Sequence, residues 1–562
     1  MNRFFKKSMA VILVAAMAAM TGCGSGSSGE EGTKAAAAES ASEAAKTKDS
    51  IVISTDWPTY IDPGVGSKAS DSTAAVNIYD TLTFPNSDGT IDANAAESWD
   101  VSEDGTIYTF HLRDDVVFHS GNQLTASDVK YSMDRLMAMG EGFAYLFTDL
   151  VSEVKVIDEK TVEFDLSSPS GTFPAIIVRL YILDEKLMTE HYAEGDYGEQ
   201  GDYGKAWLQT NDAGSGPYKV KEMKTEEYLV IEKYSEYWKG WEDGAPETIR
   251  MVGGLETTAI RTMISRGELD ITNDAQTPEA YTEMDAMEGV DSVNILSGVN
   301  TNLMLNTKSA PTDDIHVRKA IAYATDYQTI INSIYPGSSL STGPVVSGMT
   351  AAALTVEEMP YTYDLAKAEE ELKQSPYYDQ LMSGELTIAF TWCSEGGSSQ
   401  EKLALLIQSE MGKLGVTVDI TGKPFATMMT DAQTIETTPN ASIVAFSPAY
   451  LDAGSVLKTR YHSGSCGSWE QMEWLQDNEI DSMIEKSTVI INEDERNEAY
   501  KEISRQLIEL CPTVWLFDAT TTVAYRSDHI TSWPAVDMNQ AGESYLYTMG
   551  YCYYFRDFKV AE

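Results

Sequence analysis

The chain has 562 residues, 43% of them hydrophobic and 23% charged, which is a soluble globular composition and too long for one ordinary core. Two or three lobes are therefore expected. With 87 acidic against 40 basic residues the formal charge is −47, which keeps an exported chain soluble and, by repelling phosphates, disfavours nucleic-acid partners.

Residues 1–22 open with Arg3, Lys6 and Lys7, followed by an apolar run from Met9 to Met20. That pattern is an export signal, and the run is too short to span a bilayer. Residues 23–48 after Cys23 contain no aromatic or branched apolar side chain, so they cannot bury a core and read as a flexible tether. Gly24, Gly26 and Gly29 fit G-x-G-x-x-G, but no strand precedes them and the dinucleotide reading fails.

The folded body begins at the β-branched run Ile51-Val52-Ile53, followed by Asp62-Pro63. From Ala96 to Leu136 the pattern is dense: Tyr108, Phe110 and Leu112 alternate with Thr109, His111 and Arg113 after an Asp104-Gly105 turn, predicting a half-buried strand. Thr125 with Asp128 three residues on is a helix start, and Val129, Met133, Leu136 and Met137 fall on one helical face. Val154–Leu166 predicts a hairpin about Asp158-Glu159-Lys160. In Gly214-Ser215-Gly216-Pro217-Tyr218 the glycines are expected to supply positive φ before a strand over 218–220. Further on, a helical stripe comes from Val317, Ala320, Ile321 and Ala324, and Leu386–Trp392, Gln400–Leu414 and Gly415–Val418 predict a β-α-β unit. A helix over 493–510 and a strand over 514–517 follow.

Catalytic patterns are sparse. Ser127-Asp128-Val129-Lys130 fits S-x-x-K, but S-D-N and K-T-G are missing and helix capping explains its neighbourhood. G-x-S-x-G and H-E-x-x-H are absent, and the body cysteines Cys393, Cys466, Cys511 and Cys552 form no C-x-x-C, so no cofactor or metal is expected. Spacing leaves open whether these cysteines pair or stay free.

The order A-E-S-W, D-G-x-x-Y-x-F-x-L-R, F-H-x-G and L-T-A-x-D-V within 96–129 closely resembles the signature of the extracellular solute-binding proteins, family 5, the peptide, nickel and related receptors of ABC importers. Gly214–Tyr218 is similar to that family's G-T-G-P-Y, Tyr234–Gly240 to N-x-x-Y-W-x-G, and the segment from Leu303 to Asp326 to its asparagine followed by D-x-x-V-R-x-A-x-x-y-A-i-D. The resemblance implies an α/β, two-lobed, three-domain periplasmic-binding-protein-like type II architecture, with 49–93, 209–300 and 525–562 in lobe I, 94–208 as its accessory domain and 301–524 in lobe II. It also implies a lipobox at Met20-Thr21-Gly22-Cys23, with Met20 and Thr21 where the pattern prefers Leu and Ala or Ser. Cys23 would then carry the lipid that holds a monomer at the outer face of the cytoplasmic membrane.

Function is implied in the same way: capture of a small-molecule or oligopeptide ligand by hinge closure and delivery to ABC permease subunits, without catalysis. A sensory receptor for a peptide signal and an exported hydrolase are the alternatives. Ligand contacts are expected from Trp392 and Glu395 after one strand, and from Phe446, Tyr450 and Asp452 in a loop resembling W-x-x-D-Y-x-D-P. In peptide-binding members the aspartate before the loop tyrosine holds the α-ammonium. Here that position is Ala449, so the expected ligand is not a free-amino peptide held in that manner.

Overall fold

Alternating burial builds the first of three main sheets. Strand Ile107–Leu112 buries Tyr108, Phe110 and Leu112 and leaves the residues between them half-buried, as its period of two requires. It lies between Ala96–Val101 and Thr161–Leu166, and Val151–Asp158 completes an antiparallel sheet of four strands. Helix Ala126–Met139 covers this sheet with Val129, Met133 and Leu136. Its start is fixed by the Asp128 carboxylate, which accepts from the Thr125 amide (2.8 Å) and hydroxyl (2.7 Å). The structure, a computed structural model, describes residues 48–562 except 275, 448, 449, 451, 544, 547, 548 and 562. The leader, Cys23 and Ala449 therefore lie outside the described residues.

The second sheet runs in the order Ser50–Ser54, Thr248–Val252, Tyr228–Lys233, Tyr218–Lys224, with the first pair parallel and the others antiparallel. Gly214 and Gly216 lead into its edge strand, but neither has a positive φ. They are required by space instead: a Cβ would stand 1.9 Å from the Ile78 carbonyl oxygen at Gly214, and 2.6 Å from the Ile78 carbonyl carbon at Gly216. Beneath them Asp80 is a buried carboxylate, accepting from Ser215 (3.0 Å), Tyr237 (3.0 Å) and Trp238 (3.1 Å). Asp62, from the Asp-Pro turn, is likewise buried and takes two hydrogen bonds from Arg135, at 2.7 and 2.6 Å.

The third sheet has six strands in the order Ser339–Leu340, Thr513–Arg526, Val290–Leu305, Ala441–Phe446, Ile388–Cys393, Val418–Lys423. The expected β-α-β unit is present: Ile388–Cys393 runs parallel to Val418–Lys423, with helix Gly397–Lys413 between them in sequence. Strand Thr513–Arg526 is much longer than the expected 514–517, because its polar run from Thr520 to Thr522 carries no hydrophobic signal yet stays in register with Val290–Leu305.

These two long antiparallel strands belong to two cores. At one end Val293, Ile295, Val523 and Tyr525 pack with Ile51 and Ile53, and at the other Leu303, Leu305 and Val514–Phe517 pack with the β-α-β unit. Between them the register slips from Leu296 to Asn300. Cys393, Cys466, Cys511 and Cys552 are free thiols, which closes the alternative that sequence spacing left open.

Candidate functional site

Strand Ala441–Phe446 ends at Phe446, and the loop after it carries Tyr450 and Asp452 into helix Ala453–Tyr461. Asp452 is its N-cap, accepting from the amides of Gly454 (2.8 Å) and Ser455 (3.3 Å) and from the Tyr500 hydroxyl (3.3 Å). Gly454 has to be glycine here, since a Cβ would lie 2.3 Å from the Tyr500 oxygen. Burial pushes the Asp452 carboxyl above its ordinary range, against the pull of Arg496 and the capping amides. Tyr450 leaves its own sheet and packs on the core of the antiparallel sheet, where burial, with the Asp452 charge second, drives its phenol far above the ordinary value.

The other expected contacts are placed apart from this pair. Phe446 is buried under Trp469 (ring centroids 6.3 Å) and the Arg460 guanidinium (5.5 Å). Trp469 in turn meets Phe425 edge-on at 5.2 Å, and the Phe425 amide donates to Glu395 (2.9 Å). Glu395 also accepts from the Cys393 thiol (3.0 Å), and these bonds, the thiol's first, hold its carboxyl below the usual range. Glu395 is thus engaged in starting helix Phe425–Asp431. Trp392 shares its face of the strand with Ile388 and Phe390, opposite to Cys393, and its ring covers Gly422, where a Cβ would be 2.7 Å away. Trp392 and Phe446 therefore project from opposite faces of the six-stranded sheet.

Between the antiparallel sheet and the six-stranded sheet lies a cavity of about 80 Å³. One wall is formed by Asp88, Trp99, Tyr108 and Pro174, the other by Met349, Asp452, Glu493 and Arg496. Of the five expected contacts only Asp452 lines it. Burial raises the Glu493 carboxyl, with Arg496 opposing and the charges of Asp452, Asp494 and Asp88 adding to the rise. Three carboxylates against one guanidinium make the cavity acidic, a property suited to a cationic or hydrogen-bond-donating group. Sequence patterning carried no signal for Asp88 or Trp99 as cavity residues. Glu493 and Arg496 were legible only as the start of a helix.

Ser127 and Lys130 do not form a catalytic pair: the Ser127 hydroxyl bonds Glu185, and Lys130 reaches Asp134 at 2.8 Å. Among the described residues no group of three or more His, Cys, Asp and Glu side chains is placed to hold a metal, and no helix is long and apolar enough to cross a membrane.

Residues 90–468 match the model of the bacterial extracellular solute-binding proteins, family 5 Middle. The probable D,D-dipeptide-binding periplasmic protein DdpA of Escherichia coli (strain K12) is 27% identical over 501 residues, covering 87% of this chain and 92% of that protein. Heme-binding protein A of Haemophilus influenzae is 25% identical over 462 residues, 76% of this chain and 78% of that one. The solved structure of HbpA2 from Haemophilus parasuis superposes with a TM-score of 0.77 at 18% identity, covering 91% of this chain and all of that one, which is a likeness of fold. The match over most of the chain and the type II periplasmic-binding fold agree: this chain belongs to the bacterial extracellular solute-binding proteins, family 5.

Proposed function

We propose that the chain is the solute receptor of an ABC importer, held at the outer face of the cytoplasmic membrane by a lipid on Cys23, and that it takes up a peptide or peptide-like solute between its two cores and passes it on unchanged. The observation that carries this reading is a cavity walled on one side by the antiparallel sheet and on the other by the core around the β-α-β unit, in a chain whose long strands Val290–Leu305 and Thr513–Arg526 run from that core into another. Such a pair of strands can flex at the register slip without either core repacking, and a solute that touches both cores then favours their approach. Relatives named for D,D-dipeptides and for heme indicate that one scaffold serves unlike solutes, so the loop chemistry has to decide.

Ala449 removes the carboxylate from the position where peptide-binding members hold an α-ammonium, and Glu395 is committed to the Phe425 amide. The ligand is therefore a peptide-like solute whose recognition does not depend on a free amino end in that place. Calorimetry of the purified chain against di- to pentapeptides, their N-acetylated forms and D,D-dipeptides tests this. Micromolar or tighter binding that survives N-acetylation, with every ligand recovered intact, is expected. Loss of binding on acetylation would overturn the ammonium argument, silence towards all three sets the peptide-like class, and hydrolysis the receptor reading itself. For the anchor, cells fed labelled palmitate should label the wild-type chain and not Cys23→Ser. Equal labelling of both would remove the lipid from the proposal.

A further inference from the structure

The loop before helix Phe173–Ile176 and the turn after helix Asn478–Ser487 touch along a narrow seam, and each side of it is braced by its own core. On one side the loop before helix Phe173–Ile176 is tied to the antiparallel sheet: the Tyr108 hydroxyl donates to the Ser170 carbonyl (2.6 Å), and the Ser170 amide to the Gly105 carbonyl (3.2 Å). On the other side the turn after helix Asn478–Ser487 is tied to helix Glu493–Leu510, where Arg496, 8% exposed, donates to the carbonyls of Ile490 (2.9 Å) and Ile491 (3.1 Å). This bracing accounts for a buried guanidinium at the cavity wall.

Across the seam the Gly171 amide donates to the Thr488 carbonyl (2.8 Å). The backbones come so close that a Cβ on Gly171 would stand 2.0 Å from the Ile490 oxygen, less than any carbon–oxygen contact permits. Gly171 has no positive φ, so its own backbone conformation would admit another residue and only the opposing chain forbids it. The Ile491 side chain lies within 3.7 Å of where a Gly105 Cβ would be, and Tyr450 crosses onto the core of the antiparallel sheet, its phenol hydrogen-bonded to the Thr172 side chain. Two stiff surfaces thus meet at a contact made mostly of backbone, and parting them also withdraws the Tyr450 ring from the core it packs on.

We propose that this seam sets the resting angle between the antiparallel sheet and the core around the β-α-β unit, with Gly171 as the positioning residue that permits their approach. The consequence for solute capture rests on the receptor reading above, but the angle itself does not. In the ligand-free, full-length chain, spin labels attached through a ketone-bearing amino acid at positions 157 and 495 report the separation by pulsed electron paramagnetic resonance. Gly171→Val is expected to lengthen the mean distance and broaden its distribution, with the thermal melting of the chain unchanged. Gly412→Ala, at a helical glycine with nothing within 4 Å of its Cβ position, should leave the distance as it was. Should Gly171→Val fail to fold, Ile491→Arg adds bulk at the same seam from a residue already 39% exposed, and the same lengthening is expected. An unchanged distance in a folded seam variant would overturn the proposal. Where the distance does change, apparent affinity for the peptide sets should change roughly tenfold, as the fraction of binding-competent chain changes. Altered distance with no peptide binding in any variant would count against the peptide-like class alone and leave the seam standing.

Discussion

Arg460→Met is expected to lower the unfolding free energy by about 3–5 kcal/mol, the cost of leaving a buried charge without its partner. Arg460 and Glu473 have side chains 1% and 0% exposed and meet at 2.7 Å. Glu473 also accepts from Thr513 (2.6 Å), and Arg460 donates to the Glu470 carbonyl (2.7 Å), so the pair is hydrogen-bonded on both sides. Removing the cation leaves a carboxylate that water cannot reach. The double change Arg460→Met with Glu473→Leu should recover most of the loss, because it removes both charges at once. Urea titrations of the three chains measure this, and a loss under about 1 kcal/mol in the single variant would show that the site rehydrates. The effect reaches the candidate site as well, since the Arg460 guanidinium lies over the Phe446 ring from which the 446–452 loop departs.

The second large effect depends on pH. Asp518 stands opposite Asn300 at the register slip between the long strands, and burial pushes its carboxyl up to about 6 from 3.8. It accepts from the Ser347 amide (2.7 Å) and the Asn300 side chain (2.6 Å), and the groups that offset its burial are neutral hydrogen-bond donors. A raised carboxyl binds its proton more tightly in the folded chain than in the unfolded one. Its contribution to stability is therefore fully present below about pH 4 and lost as pH rises through about 6, a change of about 3 kcal/mol.

Asp518→Asn mimics the protonated form, so its unfolding free energy should exceed the wild type by about 2 kcal/mol at about pH 7.5, with the gap closing towards about pH 4. The Asn300 side-chain oxygen, which has no partner, can accept from the new amide after a turn of its own. The difference between the two chains is the quantity to follow, because the many other acids cancel in it. A gap that stays constant across that range would show that Asp518 does not titrate in this window.

Local rules carried far in this chain. Period-two burial in Ile107–Leu112, the Thr125–Asp128 capping box and the β-α-β unit were each legible because one short stretch of sequence decides them. What failed was decided elsewhere. Gly214 and Gly216 read as turn glycines, but their constraint comes from Ile78, far earlier in the chain. Residues 520–522 are polar because they lie at the crossing between two cores, and polarity hid a strand. At the site, Asp452, expected as a ligand contact, caps helix Ala453–Tyr461 and lines the cavity. Trp392 and Phe446 are aromatic side chains near strand ends, and only strand parity in the assembled sheet shows that they face opposite ways.

The two long strands also impose a timetable on folding. Val290–Leu305 is complete as a sheet member only when Thr513–Arg526 is available, and the core around Ile51 and Ile53 is filled by Trp533, Phe555 and Phe558 from the far end of the chain. The first strand to be synthesised thus waits for some of the last residues. Pairings so distant in sequence must pay loop-closure entropy before any contact rewards them, which makes for slow assembly from late, non-local contacts. A ribosome-released fragment lacking the final segment would leave the core around Ile51, Ile53, Val293 and Ile295 without Trp533, Phe555 and Phe558, so the stability of the N-terminal part depends on residues made last.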